Sequence, residues 1–197
     1  MITLITEPKD YSKKALAVYK SLGRVYFLPE LSDKEKKSVL EKTNIIAIGL
    51  SIQIDKKLID KMPSLKIIAS PATGMNHIDV PYVKSKGIKL ISLRGRKGFL
   101  RNVPSTAEET FALILSLARN IPWAFDYVKS GGWERLEWRG HQLMDKTIGL
   151  LGFGRLGRIV ARYAKVFNMK ILACDPNVSE AFMKSRGVSK VGMEELF

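Results

Sequence analysis

Short, almost wholly apolar runs alternate with amphipathic stretches through the first 93 residues. Ile2–Ile5, Val25–Leu28, Ile45–Gly49, Leu65–Ala69 and Ile88–Leu93 each read as a strand. Between them, Tyr11–Leu22, Asp33–Lys42, Asp55–Met62 and Val80–Lys86 set spaced apolar residues among charges and read as helices. Gly23, Pro63 and Gly87 follow three of these helices, where chain breakers belong. Strands alternating with helices predict a parallel sheet covered on both faces. The near-continuous apolar character of the strands fits burial on both sides.

The rhythm breaks over residues 94–104, where two glycines, a proline and the bases Arg94, Arg96, Lys97 and Arg101 mark a connection between domains. Ser105 with Glu108 three positions on predicts a capping box opening the next helix. Phe111, Leu113, Ile114, Leu115, Leu117 and Ala118 cover most of that helix's circumference, which predicts a helix packed between layers. A further helical stretch, Trp123–Lys129, ends at Gly131 and Gly132, and Trp133–Asp145 reads as a loop.

A different pattern follows. Thr147–Leu151 is a strand, Gly152, Gly154 and Gly157 form a turn, Arg155–Phe167 is an amphipathic helix, and Lys170–Cys174 is a second strand ending at Asp175. In a dinucleotide-binding unit, the first glycine permits the tight exit turn. The second lets a pyrophosphate approach the backbone, and the third lets the helix sit close to the sheet. The amides of Arg155 and Leu156, at the positive end of the helix, are the expected phosphate donors. Asp175 lies 18 positions after Gly157, near the ~20 expected of the acid that binds the adenosine ribose. Its charge favours NAD over a 2′-phosphorylated cofactor, and Pro176 beside it completes the expected nucleotide-binding set. Asn168 stands where the helix wants a left-handed cap.

Composition narrows the picture. The single cysteine, Cys174, excludes an internal disulfide and fits a cytoplasmic protein. No apolar run approaches the ~18 residues of a membrane span, and the start lacks a secretory signal. The net charge of +14 is distributed through helical segments rather than gathered in a tail. It reads as a lysine-rich surface with a preference for anions, and no nucleic-acid or membrane partner is expected.

At this point the chain resembles the D-isomer-specific 2-hydroxyacid dehydrogenases, which include phosphoglycerate dehydrogenase and glyoxylate reductase. The resemblance rests on Lys146–Asp175, on Ser70-Pro-Ala-Thr-Gly-Met-Asn-His-Ile-Asp79, on Pro104-Ser-Thr-Ala-Glu-Glu109, and on Gly132-Trp133. It implies a flavodoxin-like parallel-sheet substrate domain over 1–100, lacking its C-terminal return. The first half of a Rossmann NAD-binding domain over 101–197 would follow, including an interdomain helix. It implies that the amides of Thr73, Gly74 and Met75 hold the substrate carboxylate and that Thr106 lies near the nicotinamide. The expected partners are a small 2-oxo or 2-hydroxy acid and a second copy of the full-length protein.

Three departures stand out. Glu109 replaces a common histidine, Asn168 replaces a common glycine, and no position matches the family's catalytic arginine, glutamate and histidine, which lie beyond the equivalent of Phe197. His77 and His141 are not at the family position and read as packing or surface residues. The expectation is therefore a chain related to an NAD-dependent oxidoreductase but inactive by itself. The alternatives are a non-catalytic NAD-binding module resembling the family's corepressors and, more remotely, a nucleic-acid binder drawn by the charge.

Overall fold

Two separate parallel sheets organise the chain. The computed structural model describes all 197 residues, Met1–Phe197, and divides into the units Met1–Lys97 and Gly98–Phe197.

The first unit runs β1 (Ile2–Ile5), α1 (Lys13–Leu22), β2 (Arg24–Phe27), α2 (Asp33–Lys42), β3 (Ile45–Ala47), α3 (Lys56–Ile59), β4 (Ile67–Ser70), α4 (Val80–Ser85) and β5 (Lys89–Ser92). Its five strands lie in the order β2-β1-β3-β4-β5, all parallel, with Thr3 paired to Val25 on one side and Ile45 on the other. This is the flavodoxin-like order. Leu4, Ile46 and Ile68 face a core with Met62 and Val83, while Thr3, Ile5, Ile45 and Ala47 are buried on the other face. The central strands are thus buried on both sides and the edge strands β2 and β5 only partly so. Short polar side chains set the helix starts: Ser12 caps α1, Asp55 caps α3 and Asp79 caps α4. Ser32 and Glu35 form a complete capping box on α2.

The short helix α5 (Lys97–Leu100) leads into the second unit. There α6 (Ser105–Ala118), α7 (Ile121–Lys129), β6 (Thr147–Leu151), α8 (Arg155–Val166), β7 (Lys170–Cys174), α9 (Glu180–Lys184), β8 (Ser189–Lys190) and α10 (Met193–Leu196) follow. The sheet order is β6-β7-β8, again parallel, with Leu150 opposite Ala173. α6 packs on α8 through Phe111, which stacks on Phe167 at 5.4 Å and meets Tyr163 edge-on at 5.7 Å. Ala161, Ala164 and Ala173 are small enough to let α8 lie tightly on the sheet.

Several expectations are corrected. Ser105 is the first helical residue rather than the cap. Pro104 holds the cap position in a helical conformation (φ −88°, ψ −5°), no side chain caps the helix, and the capping box with Glu108 does not form. An N-cap side chain reaches back to the first amides only from an extended backbone, which Pro104 does not supply. Nor is α6 enclosed in this unit, since Leu113 and Leu117 remain 57% and 65% exposed. The helix expected from Tyr11 begins at Lys13, because Ser12 intercepts the amide of Ala15. β3 stops at Ala47 rather than Gly49, α3 spans only Lys56–Ile59, and the basic connection at 94–104 contains α5. α9, β8 and α10 follow Asp175 as elements that the apolar pattern does not predict.

Candidate cofactor and substrate sites

The three glycines of the β6–α8 turn are present for three different reasons. Gly152 adopts φ +97°, a left-handed conformation that side chains disfavour. A Cβ on Gly157 would run into the carbonyl oxygen of Gly152, so only glycine lets the helix start this close to the strand end. A Cβ on Gly154 would meet nothing within 4 Å, so the space above this residue is open. Gly154 is also the N-cap of α8 and offers no side-chain acceptor. The amides of Arg155 and Leu156 lie in the helix's first turn, where no carbonyl four residues back can accept them. Open space, free donors and a positive dipole end together fit a pyrophosphate.

Asp175 stands at the end of β7, next to this turn. Its carboxylate accepts from the Phe153 amide at 2.8 Å and from the Asn177 amide at 2.9 Å. These bonds, the Phe153 amide first, hold its carboxyl below the usual carboxylate range, and Lys190 and Arg158 assist. The acid therefore shapes the turn as well as standing beside the space above it. A carboxylate has about four acceptor positions, so two bonds leave capacity for ribose hydroxyls. Pro176 is exposed beside it. The Arg155 side chain turns away from the open space, since its guanidinium donates to the carbonyls of Leu100 and Val103 at 3.1 and 2.9 Å. Only its amide is available to a phosphate. Thr106 is exposed in the first turn of α6, where its carbonyl accepts from the Thr110 hydroxyl.

In the first unit, Thr73, Gly74 and Met75 lie in the loop that leaves β4. Thr73 and Gly74 are exposed, Met75 is buried, and open space lies above Gly74 as it does above Gly154. None of the three amides donates to another backbone group, whereas the Met75 carbonyl accepts from Ile78. Loops at the carboxyl ends of parallel strands are the usual ligand-binding edge of such sheets. His77 is buried with no partner for its Nε2, so it packs within the loop. His141 is exposed and lines a concave surface with Leu143, Lys146 and Ile148 along β6, apart from the glycine turn. Neither histidine joins a cluster with carboxylates or cysteines able to hold a metal.

Sequence reasoning missed one arrangement in the first unit. Glu7, just after β1, places its carboxylate against the loop after β3. One oxygen accepts from the amide and hydroxyl of Ser51, and the other from the Gly49 amide and the Thr6 hydroxyl. Partial burial works to raise this carboxyl, but the hydrogen bonds outweigh it and bring it to about 2. The contacts span more than 40 residues, so no local sequence pattern announces them.

A flavodoxin-like unit followed by a β-α-β glycine turn with its acid is the architecture of a dinucleotide-binding α/β class. The comparison with known proteins is specific within it. The family model for the D-isomer specific 2-hydroxyacid dehydrogenase catalytic domain matches residues 3–111, and that for its NAD binding domain matches 111–197. The chain belongs to this family of NAD-dependent dehydrogenases. It is 34% identical over 197 residues to a D-3-phosphoglycerate dehydrogenase of Archaeoglobus fulgidus, covering 100% of this chain and 36% of that protein. It is 34% identical over 167 residues to a hydroxypyruvate reductase of Thermotoga maritima, covering 85% and 52%. The structure of D-lactate dehydrogenase from Aquifex aeolicus, complexed with NAD and lactic acid, superposes with a TM-score of 0.80 at 27% identity, covering 100% of this chain and 57% of that one. The chain thus spans between about a third and three fifths of these relatives. No helix is long and apolar enough to cross a membrane.

Proposed function

We propose that the protein carrying this chain interconverts a small D-2-hydroxy acid and its 2-oxo acid with NAD. The observation that carries this reading is the glycine turn, open at Gly154 and closed at Gly157, with Asp175 at the end of the next strand. In this reading the amides of Arg155 and Leu156 hold the pyrophosphate. Asp175 accepts from the adenosine ribose hydroxyls and repels a 2′-phosphate, with Pro176 beside it. Thr106 lies near the nicotinamide. The free amides of Thr73, Gly74 and Met75 receive the substrate carboxylate, as backbone donors in an open loop can. NAD supplies the hydride acceptor when bound, and the chain's residues supply orientation and fixed charge.

We infer that residues 1–197 bind the nucleotide, and that turnover needs the arginine, glutamate and histidine that the family resemblance places outside them. The working protein is a cytoplasmic homodimer. Leu113 and Leu117 lie one turn apart on α6, and Ile121, Phe125 and Val128 follow helical spacing on α7, all half exposed or more. Such a concentration of exposed apolar side chains supports a subunit interface.

Two measurements test the reading. NADH should bind the purified chain with a rise in fluorescence, and NADH should be oxidised by glyoxylate or hydroxypyruvate only in the complete protein. Turnover by the chain alone would overturn the inferred inactivity. Binding without turnover by the complete protein would replace the dehydrogenase with a corepressor-like module.

A further inference from the structure

Two loops leave the first sheet side by side. The loop after β3 begins beyond Ile48, whose amide donates to the Ala69 carbonyl at 2.9 Å. It ends at Ile54, which forms a parallel bridge with Ile78, donating to the His77 carbonyl at 2.8 Å and accepting from the Asp79 amide at 2.9 Å. The loop after β4 runs between the same two anchor points and contains Thr73, Gly74 and Met75. Residues 49–53 are thus the neighbouring wall of the proposed carboxylate cradle. Leu50, Ser51 and Gln53 on this wall are exposed, and Ile52 alone packs its side chain against the core. Glu7, arriving from β1 on the side of β3 away from β4, holds the first part of the loop through Gly49 and Ser51.

We propose that Glu7 is a positioning residue for substrate binding, fixing the loop 49–53 beside Thr73–Met75 through Gly49 and Ser51. The proposal rests on the reading of Thr73–Met75 as the carboxylate cradle. Three features support it. The carboxylate bridges residues on both sides of Leu50, so it fixes the direction in which the loop tip points. Four donors occupy its two oxygens, so Glu7 has no capacity left for catalysis. Gly49 makes room for it, since a Cβ there would lie 2.5 Å from the carboxylate although the backbone φ would tolerate a side chain. The loop and the acid are therefore built for each other, at the edge of the sheet where ligands bind.

The test uses steady-state kinetics of the complete dehydrogenase. Glu7→Gln removes the charge and replaces one acceptor with a donor. Gly49→Ala displaces the carboxylate without removing it, and so gives the same reading if Glu7→Gln folds poorly. Both variants should raise KM for the 2-oxo acid roughly tenfold while kcat and KM for NADH stay within about threefold, as a misplaced binding wall predicts. Val39→Ala, a core truncation in α2, should lower thermal stability and leave KM unchanged. Glu7→Gln and Gly49→Ala proteins with lowered stability and parental KM would overturn the positioning role. Gly74→Pro, which deletes one cradle amide, reads the underlying assignment separately. Parental KM in a folded Gly74→Pro protein would overturn the cradle and the proposal with it.

Discussion

Gly154→Ala and Gly157→Ala add the same methyl group three residues apart and should have opposite consequences. At Gly157 the methyl meets the Gly152 carbonyl oxygen and lies 3.3 Å from its carbon. That carbonyl has little freedom to retreat, because the Gly152 amide donates to Cys174 at 2.8 Å and the next amide, Phe153, donates to Asp175 at 2.8 Å. Overpacking of this kind costs about 1–3 kcal/mol, and the fixed backbone points to the upper end. Replacing glycine by alanine within α8 returns about 1 kcal/mol of helix propensity. The net loss is about 2 kcal/mol, a fall in Tm on the order of 10 °C for a unit of this size. At Gly154 the methyl meets no atom and the residue is a cap rather than a helical position. The expected stability cost is below about 1 kcal/mol, whereas the methyl occupies the space assigned to the pyrophosphate. NADH affinity, read by fluorescence titration, should fall at least roughly tenfold. Thermal melts followed by circular dichroism complete the comparison. Parental NADH affinity in Gly154→Ala would refute the placement of the pyrophosphate, and an unchanged Tm in Gly157→Ala would refute the packing argument.

Acid titration should expose the Glu7 clamp. Its folded value of about 2 lies below the unfolded 4.5, so its contribution is complete above pH 4.5 and disappears as pH falls through 2. The shift corresponds to roughly 3 kcal/mol at most, and solvent screening leaves about 1–2 kcal/mol. Glu7→Gln should therefore flatten the acid limb of the stability curve between about pH 4.5 and 2, and a limb as steep as the parent's would contradict the assignment. Asp175→Ala should raise KM for NADH about tenfold, narrow the preference over NADPH, and lower Tm because the Phe153 amide loses its acceptor. A single charge on the apolar face of α6 and α7, as in Leu117→Asp or Phe125→Asp, should shift the complete protein from dimer to monomer in sedimentation velocity.

The cofactor turn is legible because its strand, glycines, helix and acid lie within about thirty contiguous residues. β6, β7 and α2 occupy the spans that the apolar pattern gave, and Asn168 takes the left-handed cap conformation at φ 53°. The start of α6 differs from the expectation because the residue types of Ser105 and Glu108 do not by themselves make a capping box. The backbone before the helix decides, and Pro104 is helical rather than extended. β3 ends at Ala47 although Ile48 and Gly49 are also buried, because the paired register with β4 stops there and Gly49 already belongs to the exit loop that Glu7 holds.

Sequence alone determined the alternation of strands and helices through the first 93 residues, and the strand-turn-helix-strand order and acid of the nucleotide turn. Those properties follow from periodicity and from spacings within about thirty contiguous residues. Tertiary structure decided which charged group serves which purpose. The Arg155 guanidinium fastens the segment before α6 while only its amide faces the open space, and Asp175 braces the turn beside which it stands. Glu7 reaches Gly49 and Ser51 only because β1 lies between β2 and β3 in the sheet. A carboxylate finds its donors through strand order, and strand order brings together residues that the chain keeps far apart.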